Sequence, residues 1–331
     1  PLDAPPHASY TRAAVDHPPA VEEIAPNSAR STTVFADYVA LAKPGITIFN
    51  VLTALGGLWL AHERGGVGAS KVPVSGGTVL ATLVGTTLIV AGANTLNQYI
   101  ERNIDGLMSR TKDRPLPTGR VTARAALIYG IALSALAVPV FAMGTNGLTT
   151  ALAVFANLAY VLAYTPMKQR SHHSLLVGAV PGAMPPLLGW AAALGMNALH
   201  PGASLGGLVL FATMFLWQVP HFLAITLFRK DDYARAGLIV MPNVRDEREV
   251  KHTIVRYTFA LVATSMLLYP LGVSGLFYAG AALALGVVFF VWGLVGLRSE
   301  DVGIPWAKSL FGVSLLYLLA LFGAIAIDAV L

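Results

Sequence analysis

Apolar runs of about 20 residues recur from residue 43 to residue 329, separated by short polar loops. Wound into a helix, a run of that length spans the ~30 Å hydrocarbon core of a bilayer. Helices are expected at 43–62, 75–103, 123–143, 147–165, 174–196, 204–229, 252–272, 275–297 and 305–329. The fold class is therefore all-α, a polytopic membrane bundle of nine transmembrane helices over residues 34–331. Only 12% of the 331 residues are charged. A soluble chain would carry about a quarter. The net charge of +5 is no nucleic-acid signal, because the cations are confined to a few loops. With no cysteine, disulfides, thiolate metal sites and CxxCH haem attachment are excluded.

The cations set the threading. Of 22 lysines and arginines, only Arg64 and Lys71 fall outside one alternate set of loops and adjacent helix ends. By the positive-inside rule that set is cytoplasmic, with the N-terminus inside and the C-terminus outside a bacterial inner membrane. Residues 1–33 are rich in Pro, Ala, Ser and Thr and carry Asp3, Asp16, Glu22 and Glu23. They hold no apolar core for a signal peptide and read as a disordered tail.

The chemistry concentrates between Asn94 and Arg120. Asn97, Glu101 and Asp105 recur every fourth residue, which stacks three oxygen-bearing side chains on one helix face. They lie at the cytoplasmic end of the expected second helix, and Arg110, Lys112 and Arg114 follow at once. Carboxylates beside arginines suit a metal-bridged phosphate ester. Mg²⁺ takes oxygen ligands, one or two of them carboxylates, and keeps places for substrate phosphate. Arginine grips phosphate through paired N–H bonds. The plainer alternative is that Glu101 and Asp105 pair with Arg102 or Arg110 and only anchor the helix.

Tyr164, Lys168 and Arg170 repeat the cationic theme at the next inner loop. In the expected sixth helix, Gln218 and His221 lie three apart on one face, with Pro220 between them. A buried histidine there is a hydrogen-bonded packing residue, a proton-transfer group or an axial haem ligand. Asp231 and Asp232 form a second acidic site, for another Mg²⁺ or as anchors for Lys168 and Arg170.

The run N-x-x-x-E-x-x-x-D followed by MSRTKDRPL resembles the first motif of the UbiA-type intramembrane prenyltransferases. Its wording is similar to that of the branch that farnesylates protohaem IX. LAKPGI at 41–46, YTPMKQRS at 164–171, GAVPGAMPPLLGW at 178–190, WQVPHF at 217–222 and DDYARAGLIVMP at 231–242 agree with it. Gly45 and Ser174 depart from it, standing where Arg and Asn are usual. The resemblance implies a central cavity and transfer of farnesyl from farnesyl diphosphate to a vinyl group of haem B, with hydration, giving haem O. It implies Mg²⁺ at Asn97, Glu101 and Asp105, and diphosphate at Lys43, Arg110, Lys112, Arg114, Tyr164, Lys168 and Arg170. His221 and Gln218 would face haem. Membrane lipid surrounds the chain, and haem A synthase or a terminal-oxidase assembly would take the product.

Two rivals follow from the residues. A sister enzyme acting on an aromatic or quinone precursor would share the carboxylate motif but not the WQVPHF run. A proton transporter would use Glu101, Asp105 and His221 as a path, but would need acidic groups in mid-membrane rather than at one face, and a haem transporter would need no Mg²⁺ or diphosphate site.

Overall fold

The computed structural model describes residues 33–66, 68, 70–298 and 303–331. The tail expected at 1–33 lies, but for Thr33, outside the described residues. A short helix α1 (Val34–Leu41) precedes α2 (Pro44–Arg64), α3 (Gly76–Asp105), α4 (Ala123–Gly144) and α5 (Gly147–Leu158). Then come α6 (Ser174–Leu194), α7 (Pro201–Phe228), α8 (Glu247–Met266), α9 (Leu276–Arg298) and α10 (Gly303–Asp328). No strand occurs among the described residues.

Eight helices among the described residues are long and apolar enough to cross a membrane. The protein is a multi-pass membrane protein. The ninth expected segment, 252–272, is α8, displaced toward the N-terminus. It starts earlier, after Asp246, and the acidic residues Glu247 and Glu249 in its first turn suit a helix N-terminus. It stops at Met266 because a proline ring at 270 clashes with the carbonyl four residues back. Its charged first turns leave it the least apolar of the long helices. The other eight begin and end within about three residues of the expected bounds, once α5 is followed through its helical continuation to Met167.

Local caps explain several starts. Ser75, Thr122 and Asn146 each accept from the backbone N–H three residues on, opening α3, α4 and α5. Small residues then let the helices touch. A Cβ on Gly189 would stand 1.8 Å from the Ala54 carbonyl, and one on Gly57 2.0 Å from the Pro186 carbonyl. α2 and α6 therefore meet backbone to backbone.

Candidate functional site

The site begins where the chain breaks between α1 and α2. Lys43 holds φ at 48°, the one left-handed non-glycine residue among those described. Pro44 follows, and proline at the first helical position fits the start of α2. The break exposes carbonyls, and α3 satisfies one of them. Gln98 donates to the Leu41 carbonyl at 2.7 Å. The polar run that opens the sequence motif thus braces the entry to α2.

With its backbone so turned, Lys43 donates to Asn97 Oδ1 at 2.8 Å. Asn97 Nδ2 donates to Thr165 Oγ1 at 3.2 Å, and Thr165 donates to the Tyr160 carbonyl at 2.8 Å. Thr165 is placed by a π-helical stretch, Ala159–Tyr164, that continues α5 and passes into the single turn Thr165–Met167. Such wide turns re-aim side chains and recur at functional sites.

One and two turns below Asn97 lie the carboxylates, both buried. Lys168 Nζ sits 2.7 Å from Glu101. Arg114 Nη1 donates to Asp105 Oδ2 at 2.7 Å. Neither Arg102 nor Arg110 takes these carboxylates, so the simple helix-anchor alternative does not describe them. The loop after Asp105 folds back onto it. Thr111 donates to the Asp105 carbonyl, and a chain of tight turns carries Arg114 home. Lys168 also lies over the Tyr164 ring, 4.5 Å from its centroid. A Cβ at Gly178 would overlap that ring, so glycine there lets Tyr164 lie against α6.

Three α3 side chains and three cations from separate segments thus converge. Burial, with Arg114 and Lys168 as neighbours, pulls the Lys43 ammonium down to about 7 against Glu101 and Asp105. Asp105 Oδ1 is buried with no hydrogen-bond partner among the described residues. An orphaned carboxylate oxygen among a carboxylate and an amide carbonyl is a donor set that fits Mg²⁺. Among the described residues no three His, Asp or Glu side chains converge as a closed metal site.

Arg110, Lys112 and Arg170 point outward, exposed, and make no ion pair among the described residues. Asp231 is exposed as well, while Asp232 is buried. Asp232 accepts from Ser109 Oγ at 2.8 and 2.9 Å and pairs with Arg235, and does not reach Lys168 or Arg170. The Ser109 hydroxyl, and Arg235 against the effect of burial, hold its carboxyl below the ordinary value. The second acidic stretch is therefore a latch on the loop that carries Arg114. The 166–173 loop is tied to the same stretch through its backbone, Ile239 N–H to the Lys168 carbonyl at 2.9 Å.

His221 and Gln218 part company. Gln218 turns to α6 and donates to the Ala179 carbonyl at 3.2 Å, in space left by Gly182. His221 turns to α10, where its Nδ1 lies 2.8 Å from Ser314 Oγ. Thr165, Ser109 and Ser314 were not singled out from the sequence. Single hydroxyls in loops and apolar helices carry no spacing signal, and only the fold brings them to their partners.

The UbiA prenyltransferase family profile matches residues 45–324. The chain belongs to the UbiA prenyltransferase family. It is a prenyltransferase. A protein from Sorangium cellulosum (strain So ce56) called protoheme IX farnesyltransferase is 47% identical over 285 residues, 84% of this chain and 99% of that protein. A solved structure of digeranylgeranylglyceryl phosphate synthase in membranes superposes with a TM-score of 0.73 at 15% identity, covering 90% of this chain and 99% of that one. A UbiA homolog from Archaeoglobus fulgidus bound to GPP and Mg2+ superposes at 0.59 with 16% identity, covering 88% and 99%. Both structures share the fold of the chain.

Proposed function

We propose that this UbiA prenyltransferase transfers farnesyl from farnesyl diphosphate to a vinyl group of haem B, with addition of water, and so makes haem O. The observation that carries the reading is the pairing of Glu101 with Lys168 and Asp105 with Arg114 beside an unsatisfied Asp105 oxygen. The site holds carboxylates for a cation and cations for an anion within one constellation. A diphosphate entering with a divalent ion would take both sets at once. The A. fulgidus homolog, bound to GPP and Mg2+, supports such a pairing of ligands. The name carried by the S. cellulosum relative supports haem as the acceptor.

Glu101 and Asp105 would hold Mg²⁺, with Asn97 offering its amide oxygen or a bridging water. When bound, Mg²⁺ supplies positive charge at the leaving diphosphate oxygens. Lys43, Arg114 and Lys168 would exchange their present partners for phosphate oxygens, and Arg110, Lys112 and Arg170 would gather the diphosphate at the rim. Charge fixed in place before reaction stabilises the departing anion without reorganisation. Tyr164, already under a cation, would lend its ring to the positive charge that develops at the allylic end. The farnesyl chain belongs among the apolar helix faces, away from water that would capture the cation as farnesol.

The loops that carry the site are the cation-rich ones, so the site faces the cytoplasm of a bacterial inner membrane, and residues 34–331 form the catalytic domain. The test is direct. Purified protein with haem B, farnesyl diphosphate and Mg²⁺ should yield a pigment with the mass of haem O. Farnesyl transfer to an aromatic acid but not to haem would overturn the acceptor. No transfer to any acceptor, with the protein folded, would overturn the reading of the site.

A further inference from the structure

The sequence run WQVPHF meets α10 at one residue. Trp217 Nε1 donates to the Ser314 carbonyl at 2.7 Å, and His221, one turn on, places Nδ1 2.8 Å from the Ser314 hydroxyl. Two rings pack against the imidazole, Trp217 stacked at 4.5 Å and Phe311 tilted by 32° at 4.8 Å between centroids. It is only 8% exposed. Its freedom to flip is small.

The hydroxyl decides which nitrogen carries the proton. Ser314 Oγ also lies 2.6 Å from the Phe311 carbonyl oxygen. A carbonyl can only accept, so a contact that short consumes the single hydroxyl proton. Oγ then has only lone pairs for His221. An uncharged imidazole carries one N–H, and here it must lie on Nδ1. Nε2 is left bare, and it hydrogen-bonds to nothing among the described residues. A histidine that donates one ring N–H to a fixed acceptor and leaves the other nitrogen open is arranged as an electron-pair donor.

We propose that Ser314 is a positioning residue that fixes His221 as its Nδ1–H tautomer, so that Nε2 offers a lone pair to the acceptor substrate. The inference rests on the haem reading above. Two atoms of that reaction can take the pair. One is the haem iron. The other is a proton of the water that adds to the farnesylated vinyl: the water oxygen forms the C–O bond to the carbocation, and the released proton passes to Nε2. The imidazolium so formed keeps its Nδ1–H on Ser314.

Nitrogen-15 NMR of histidine-labelled protein, with His221→Gln to assign the signal, reads the tautomer without turnover. The wild type should show a single species protonated at Nδ1. Ser314→Ala should show a mixture, and Ser314→Thr should restore the wild-type signal. Titration with ferric haem then separates the two targets. If iron takes the pair, Ser314→Ala binds haem about 10-fold or more weakly, the Soret shift disappears in His221→Gln, and Ser314→Thr recovers it. If water is the target, haem affinity is unchanged, while kcat falls without KM in Ser314→Ala and returns in Ser314→Thr. A wild-type signal from Nε2–H overturns the proposal, as does a Ser314→Ala variant equal to wild type in tautomer, haem affinity and kcat. A wild type with the Nδ1–H signal that prenylates something other than haem overturns the acceptor alone.

Discussion

Arg114 and Asp105 stand nine residues apart in sequence and 2.7 Å apart in space, joined across the end of α3. Asp105 is 1% exposed, so this carboxylate has no water to rely on. A buried charge without a partner is costly, which explains why the loop closes on it. The pairing also stores a guanidinium beside the place where a diphosphate would leave. Asp105→Asn should therefore keep the fold, since the amide still accepts from Arg114. Prenyl transfer should drop by about a hundredfold or more, the loss expected when a ligand that would hold Mg²⁺ at the leaving group is removed. Activity measured with melting temperature in detergent decides the matter. A parallel fall of both, or normal turnover, would leave Asp105 a structural residue only.

Lys43 makes a second, sharper test, because its backbone and its side chain pull apart. A left-handed conformation costs a residue with a Cβ about 1 kcal/mol, and none of that falls on glycine. Strain at a residue that donates to Asn97 suggests that position was kept for its ammonium. Lys43→Gly and Lys43→Ala should both lose activity. Lys43→Gly should nonetheless be more stable than Lys43→Ala by roughly 1 kcal/mol. Equal denaturation midpoints for the two variants would remove the strain from this account.

Much of this architecture could be read from residue order. The carboxylate face of α3 announced itself by period, and the loops by their cations. The bounds of most helices followed from apolar length, and the caps Ser75, Thr122 and Asn146 came to light only with the fold. What stayed hidden depends on three-dimensional pairing. Period alone made Gln218 and His221 neighbours, yet one helix face three residues wide looks onto two different helices, α6 and α10. Asp231 and Asp232 looked equivalent, but a helical turn buries one against Ser109 and exposes the other. Nothing in the spacing of α5 marked the π-helical stretch that aims Thr165 at Asn97. For α8, a search for apolar composition skipped the charged first turns that the fold winds into helix.

The contact of α2 with α6 predicts which glycines tolerate a methyl group. Gly189 and Gly57 face carbonyls at about 2 Å from a built Cβ, which side-chain movement cannot relieve. Gly189→Ala should separate the two helices and lose folded protein, a cost of about 1–3 kcal/mol or more for overpacking. Gly312→Ala and Gly45→Ala, with nothing within 4 Å, should express and melt like the wild type. Size-exclusion profiles and melting in detergent compare them. A well-folded Gly189→Ala protein would show that the helices are not held so closely.

The last prediction concerns the exchange of partners at Glu101. Lys168 neutralises this buried carboxylate at 2.7 Å. Neither Mg²⁺ nor a diphosphate alone gains much by entering, because each would strip one charge and leave its former partner buried and unpaired. Together they satisfy both. A non-reactive farnesyl diphosphate analogue and Mg²⁺ should therefore stabilise the protein jointly, by about 2.7 kcal/mol at a hundred times the dissociation constant, and far less when given singly. Glu101→Gln should lose the response to Mg²⁺, and Lys168→Met the response to the analogue. Thermal shifts over a matrix of the two ligands measure this coupling. Independent, additive shifts in the wild type, or an unchanged joint shift in Glu101→Gln, would mean that the ion and the diphosphate do not meet at this carboxylate.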